Sequence, residues 1–161
     1  MTDVDKAEFI ARYGGIYEHS PWVAEAGYEF CHGKSSPATL AREFAACVDA
    51  APHARKLELI RAHPDLAGRA AVAGALSDPS GGEQASAGLD ACSPEEYARF
   101  TALNRKYRDR FGFPFVMAVR GSDRHEILAA FEKRLENDPG TEFETAIREI
   151  HRIARMRLEA L

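Results

Sequence analysis

The chain has 161 residues and a mass of 17.8 kDa, a size at which we expect a single domain over residues 1–161. Hydrophobic residues make up 45% and charged residues 29%, which argues against intrinsic disorder. The net charge of −4, with basic and acidic residues interspersed, argues against nucleic-acid binding. No apolar run approaches the roughly 18 residues of a membrane span, and the acidic start of the chain is unlike a signal peptide.

In the first half of the chain, apolar residues recur at helical spacing. Phe9, Tyr13 and Tyr17 predict one face of a first helix. Ser20 and Pro21 predict the N-cap and the first position of a second helix. A third helix is predicted around residues 40–48 and a fourth that ends near residue 62, because the residue before a proline avoids the helical region.

In the second half, Ser93, Pro94 and Glu96 predict a capped helix start, and Gly112 predicts its C-cap. Two more helices are predicted, one around residues 127–135 and one from about Thr141 to the end. Residues 113–119 could form a buried strand, but a lone strand leaves its backbone groups unpaired. We therefore interpret that segment as a buried helix or an irregular extended stretch. The predicted fold class is all-α, a compact bundle of about seven to nine helices.

The final helix carries an arginine in its apolar stripe. Its apolar face advances in steps of 4, 3, 4, 3 and 4 and includes Arg157. A buried charge without a partner is costly, so this arginine either reaches solvent, pairs with a structural carboxylate, or binds an anion. The pattern by itself leaves all three possibilities open.

A second feature is His63, which follows a predicted helix end and precedes Pro64. The C-terminus of a helix favours a protonated imidazole, which could act as a general acid. The simpler alternative is a histidine that caps the last carbonyls of the helix. A metal site that uses His63 and Asp65 is the weakest reading, since no second pair of ligands accompanies them.

The third feature is the segment from Ser80 to Ser86. Gly81 and Gly82 would let the backbone approach a ligand closely, and Glu83 and Gln84 could supply a carboxylate and an amide. Alternatively, Ser80 and Glu83 form a capping box that opens the next helix. The two readings are compatible, because helix N-termini also present amides to ligands.

The remaining ionisable and sulfur-containing residues suggest no further site. The other five histidines have polar or loop surroundings, and we expect them at the surface: His19, His32, His53, His125 and His151. The three widely spaced cysteines form neither a disulfide framework nor a zinc motif. No phosphate-binding loop, dinucleotide motif or nucleophile elbow is present, which favours cofactor-free chemistry if the protein is an enzyme.

Five motifs in register resemble one known family. They are Ser20-Pro21-Trp22-Val23-Ala24, His63-Pro64-Asp65-Leu66-Ala67, Glu83-Gln84-Ala85-Ser86-Ala87-Gly88-Leu89, Leu103-Asn104 with Tyr107 and Phe111-Gly112-Phe113-Pro114-Phe115, and Ile153-Ala154 with Arg157-Leu158. In this order and spacing they resemble OHCU decarboxylase, which acts on 2-oxo-4-hydroxy-4-carboxy-5-ureidoimidazoline (OHCU). The likeness extends from about Ser20 to Leu158.

The resemblance implies an all-α, homodimeric lyase of urate and purine breakdown that forms (S)-allantoin without metal or organic cofactor. It implies the catalytic residues His63, Glu83 and Arg157. It also implies substrate contacts at Pro64, Ser80, Gly81, Gly82, Glu83, Gln84, Phe115, Val116, Met117, Ala118 and Val119. The contacts of Phe115 to Val119 are implied to be made largely through backbone groups. Upstream, it implies a functional link to urate oxidase and hydroxyisourate hydrolase.

Two departures from the family pattern stand out. Gly81 and Gly82 stand where members often have bulkier residues, which predicts a looser loop. The chain ends Glu159-Ala160-Leu161, without the peroxisomal tripeptide of many eukaryotic members, so we expect a cytoplasmic protein. Two alternatives remain: a non-enzymatic all-α module that binds a small ureido or anionic metabolite, and an enzyme for a related ureido-imidazoline acid.

Overall fold

Helices account for all the regular structure in the described residues, which in this computed structural model are 3–31, 35–67 and 78–161. Those ranges contain eight α-helices, one short 3-10 helix (Leu89–Ala91) and no strand, so the predicted fold class is confirmed. The α-helices are α1 Asp3–Tyr13, α2 Trp22–Gly27, α3 Pro37–Asp49, α4 His53–Arg61, α5 Asp78–Ser86, α6 Pro94–Phe111, α7 Arg124–Arg134 and α8 Pro139–Glu159.

Several helix ends follow the local sequence signals. Ser93 and Glu96 form the predicted capping box of α6, and Gly112 ends that helix in the left-handed conformation, with φ of 78°. Helix α4 stops at Arg61 with Ala62 as its C-cap, close to the predicted end. Asp123 and Glu126 form a second capping box, at the start of α7.

Three predicted boundaries are wrong. Helix α1 ends at Tyr13, before the paired glycines, so Tyr17 lies in a turn although its side chain is buried. Helix α2 begins at Trp22, and the Ser20 hydroxyl donates to the backbone carbonyl of Glu18 (2.9 Å) instead of capping the helix. Helix α5 begins at Asp78 and places Ser80 inside its first turn, where Pro79 is tolerated because its missing N–H has no helical partner.

The described contacts group the chain into two compact units. The first comprises Met1–His63 and Ile150–Leu161, and the second comprises Pro64–Glu149. In the first unit, the rings of Phe9, Tyr13 and Phe44 pack together at centroid distances of 4.8 to 6.2 Å. Such tilted and edge-on aromatic pairs bury large apolar surfaces in a favourable ring geometry.

The second unit is organised around the buried ring of Tyr107. Its neighbours are the aromatic side chains of Phe111, Phe113, Phe115 and Phe131, with ring centroids between 4.6 and 5.9 Å away. Residues 113–119 run through this region as an irregular extended segment, which confirms that alternative of the sequence analysis. In the described part of the chain, no helix has the length and apolarity needed to cross a membrane.

Candidate active site

His63 lies immediately after the C-cap of α4 and is only 6% exposed. Its Nδ1 atom is 2.8 Å from the backbone carbonyl oxygen of Leu59, in the last turn of the helix. A carbonyl oxygen can only accept, so Nδ1 carries the proton of this bond. In the neutral ring, Nε2 then holds the lone pair. The capping alternative is therefore confirmed, and the same bond fixes the tautomer of the ring.

The protonated imidazole expected at this helix end is not the form that the structure favours. Burial is the largest influence and lowers the pKa of His63 from 6.5 to about 4. The hydrogen bond to Leu59 and the Glu18 carboxylate act to raise the pKa, whereas positive charge on Arg157 and His19 lowers it. At neutral pH the ring is therefore uncharged, with a lone pair on Nε2.

Arg157 on α8 is 7% exposed and makes hydrogen bonds within the first unit. Its Nη2 donates to Glu18 Oε2 (2.8 Å), and its Nη1 donates to the backbone carbonyl of Ile16 (3.2 Å). The structural-carboxylate possibility is thus confirmed, and the carboxylate is Glu18. Anion binding by Arg157 stays a prediction.

Glu18 is the residue that the sequence analysis missed. It is 3% exposed and lies in the turn between α1 and α2, beside the exposed His19. The apolar face around Arg157 did indicate that a buried carboxylate was one possible partner. It could not indicate which of 25 acidic residues supplies it, because the two partners are 139 positions apart.

In the second unit, Gln84 holds the loop that follows His63. Its Oε1 accepts a hydrogen bond from the Ala67 N–H (3.0 Å), and its Nε2 donates to the Asp65 carbonyl (3.2 Å). Asn104 Nδ2 adds a bond to the Leu66 carbonyl (3.0 Å). Ala67 has φ of 52°, a left-handed backbone that is costly for alanine, and these bonds hold it there. Pro64 begins this loop and is half-buried.

The other predicted contacts of this region lie on α5. Glu83 is half-buried, and Gly81 and Gly82 are helical residues, so the looser loop predicted from the two glycines is wrong. A Cβ atom at Gly82 would meet no other described atom within 4 Å. The side chain of Ser80 lies outside the described residues.

The segment 115–119 is fixed by charged side chains of the second unit, the buried Glu149 and the half-buried Arg134. Glu149 Oε1 accepts a hydrogen bond from the Ala118 N–H (3.2 Å), and Arg134 Nη1 donates to the Val116 carbonyl (2.5 Å). The ring of Phe115 stacks on Phe131 with centroids 3.9 Å apart, so this side chain belongs to the core. That placement is consistent with substrate contact through backbone groups, which stays a prediction.

The structure brings His63 and Arg157 into the first unit, together with Glu18. It brings Pro64, residues 80–84 and residues 115–119 into the second unit. Among the described residues, no three or more histidine, cysteine, aspartate or glutamate side chains are arranged to hold a metal ion. One surface assignment is wrong: His151 is half-buried, and it bonds to Tyr17 (2.8 Å) and to Asp49 (2.9 Å). His32 lies outside the described residues.

The chain is similar to known proteins along almost its whole length. The family model described as OHCU decarboxylase matches residues 2–159. A Haloferax volcanii protein named 2-oxo-4-hydroxy-4-carboxy-5-ureidoimidazoline decarboxylase is 44% identical over 158 residues, which cover 98% of this chain and 91% of the relative.

Two further similarities concern a larger protein and a solved structure. The uric acid degradation bifunctional protein PucL of Bacillus subtilis is 40% identical over 98% of this chain, which spans 31% of that relative. A crystal structure of (S)-allantoin synthase superimposes with a TM-score of 0.75 at 36% identity, over 96% of this chain and 50% of the other.

Proposed function

This chain belongs to the OHCU decarboxylase family, and we propose that it converts OHCU to (S)-allantoin and carbon dioxide in urate catabolism. It is thus an enzyme of the carbon–carbon lyase class. We assign the chemistry to particular residues mainly because His63, Glu18 and Arg157 form a buried group in the first unit. Such clusters of buried ionisable groups are typical of catalytic sites.

The substrate carries its own electron sink. C4 bears a hydroxyl and a carboxylate and is bonded to the imine carbon C5. When the bond between C4 and the carboxylate breaks, its electron pair forms a C4–C5 double bond, and the imine pair moves onto nitrogen, which takes up a proton. The C4 hydroxyl then loses its proton to become a carbonyl, and C5 gains a proton on one face. The protein therefore has to orient the carboxylate, exclude water and manage protons.

His63 is the proposed base for the C4 hydroxyl. Its Nδ1 proton is committed to the Leu59 carbonyl, and its lowered pKa keeps Nε2 unprotonated at neutral pH. Because general bases must be unprotonated before they act, this is the required form. Arg157 is proposed to bind an anionic oxygen of the substrate or intermediate, since a guanidinium can hold two oxygens at once.

The remaining roles concern the second unit. Glu83 is proposed to hold a ring or ureido N–H or to orient His63. Gln84 and the backbone of Phe115 to Val119 are proposed to form hydrogen bonds with the polar groups at the edges of the substrate. Pro64 and Ser80 to Gly82 are proposed as the remaining contacts. The bonds from Gln84 to Asp65 and Ala67 support an additional role in fixing the loop after His63.

The setting of the enzyme is also part of the proposal. We place it in the cytoplasm as a homodimer with one domain per chain, and without metal or organic cofactor. Its substrate is the product of hydroxyisourate hydrolase, which acts after urate oxidase. The match to a bifunctional uric acid degradation protein supports this functional link.

The test of the site uses His63→Asn, in which the amide can still donate to the Leu59 carbonyl but cannot act as a base. We expect kcat for OHCU decay to fall by about 10²-fold or more, a typical loss for a general base. The measurement is the decay of freshly generated OHCU, with the melting temperature as the control for folding. A folded variant with wild-type turnover would remove His63 from the mechanism.

A further inference from the structure

The ion pair between Glu18 and Arg157 is buried at both ends. Glu18 is 3% exposed and Arg157 is 7% exposed, and their closest atoms, Oε2 and Nη2, are 2.8 Å apart. Removing two charges from water is expensive, and apolar replacements of such pairs are often as stable or more stable. A contribution to stability is therefore a weak explanation for the presence of this buried ion pair.

The turn that carries Glu18 holds the carboxylate in a defined place. The Ser20 hydroxyl bonds to the Glu18 backbone carbonyl (2.9 Å), and His19 has φ of 46°, a left-handed backbone that is uncommon for histidine. The other carboxylate oxygen, Oε1, faces His19 Nε2 at 3.4 Å. One oxygen of Glu18 is thus directed at the guanidinium and the other at the exposed imidazole.

The pair also lies within electrostatic range of His63. The charges of both Glu18 and Arg157 act on the protonation of the His63 ring, and they act in opposite directions. The arginine is held by Glu18 and by the Ile16 carbonyl (3.2 Å). A guanidinium fixed in this way presents its donors in one orientation to whatever anion it meets.

We propose that Glu18 is a positioning residue for decarboxylation, which holds the Arg157 guanidinium in the orientation that meets the anionic oxygen of the reacting substrate. This inference rests on the proposed function. Since the carboxylate neutralises the arginine, its contribution is to orientation rather than to long-range attraction. Loss of Glu18 should therefore reduce kcat more than it raises KM.

The test is a double-mutant cycle of Glu18→Gln, Arg157→Gln and the double variant. Glutamine keeps the length of the glutamate side chain, shortens that of arginine, and leaves no unpaired charge in the double variant. For Glu18→Gln we expect kcat to fall by at least about 10-fold, because small displacements of positioned groups cost up to about 10²-fold. For Arg157→Gln we expect a loss of about 10²-fold or more.

The double variant identifies the route by which Glu18 acts. If it acts through Arg157, the kcat of the double variant equals that of Arg157→Gln within about twofold. Glu18→Asp keeps the charge and should retain more activity than Glu18→Gln. Glu96→Gln is the matched control, since it breaks the pair with Arg124 (2.9 Å) in the second unit and should leave kcat unchanged.

Three results would overturn the proposal. Wild-type kcat in folded Glu18→Gln, with only a lower melting temperature, would make the pair purely structural. Losses that multiply in the double variant would show that Glu18 acts independently of Arg157. A wild-type protein that does not accelerate OHCU decay would overturn the proposed function and this inference together, whereas the first two results leave the proposed function intact.

Discussion

The protonation state of His63 is decided by opposing influences. Its position after α4 places it near helix carbonyls that favour the imidazolium, and its near-complete burial disfavours any charge. Burial is the stronger influence and lowers the pKa to about 4. The sequence predicted the helix end correctly but not the depth of burial, because burial is set by residues distant in the chain.

This residue makes stability depend on pH in a defined window. The unfolded His63 binds a proton near pH 6.5, whereas the folded one does so near pH 4, so stability is complete above 6.5 and is lost as the pH falls towards 4. One such proton contributes a slope of about 1.4 kcal/mol per pH unit inside the window. Urea denaturation of the wild type and of His63→Asn at several pH values measures this pH dependence of the free energy of unfolding.

The His63→Asn variant is the control for this pH dependence, because asparagine keeps a donor for the Leu59 carbonyl but does not titrate. We expect the free energy of unfolding of His63→Asn to vary less between pH 6.5 and pH 4 than that of the wild type. Parallel curves for the two proteins would contradict a buried neutral His63.

At the scale of elements, α5 supports the loop that follows His63 through the Gln84 amide. Replacement of Gln84 by Met keeps the approximate volume but leaves the Ala67 N–H and the Asp65 carbonyl without this partner. We expect the free energy of unfolding to fall by about 1–3 kcal/mol and kcat to fall with it. Chemical denaturation and OHCU decay measure the two effects.

The control for this prediction is Ser93→Ala, which removes the N-cap of α6 and costs about 1 kcal/mol. It should lower stability without lowering kcat. Equal kcat losses in Gln84→Met and Ser93→Ala would show that activity follows global stability and would remove the specific role of Gln84 in the loop.

The helices also show which sequence signals were sufficient. Ser93, Glu96 and Gly112 predicted both ends of α6, because capping is local chemistry that a short segment contains in full. The signals at Ser20 and at Ser80 were equally local but wrong. The Ser20 hydroxyl bonds to the Glu18 backbone instead, and α5 begins two residues before Ser80.

For the whole molecule, helical periodicity was enough to predict an all-α fold, since each amphipathic face is visible within one segment. The pairing of Glu18 with Arg157 was not predictable, because it joins residues far apart in the chain. The remaining site residues were inferred from motifs, and the structure describes them in two units. Their joint action on one substrate stays a proposal.

The most direct test of the account is circular dichroism of OHCU generated from urate by urate oxidase and hydroxyisourate hydrolase, followed with and without this protein. We predict rapid formation of one allantoin enantiomer in its presence, because C5 would be protonated on one face within a site that excludes water. Decay at the spontaneous rate to racemic allantoin, with the protein folded, would contradict the account.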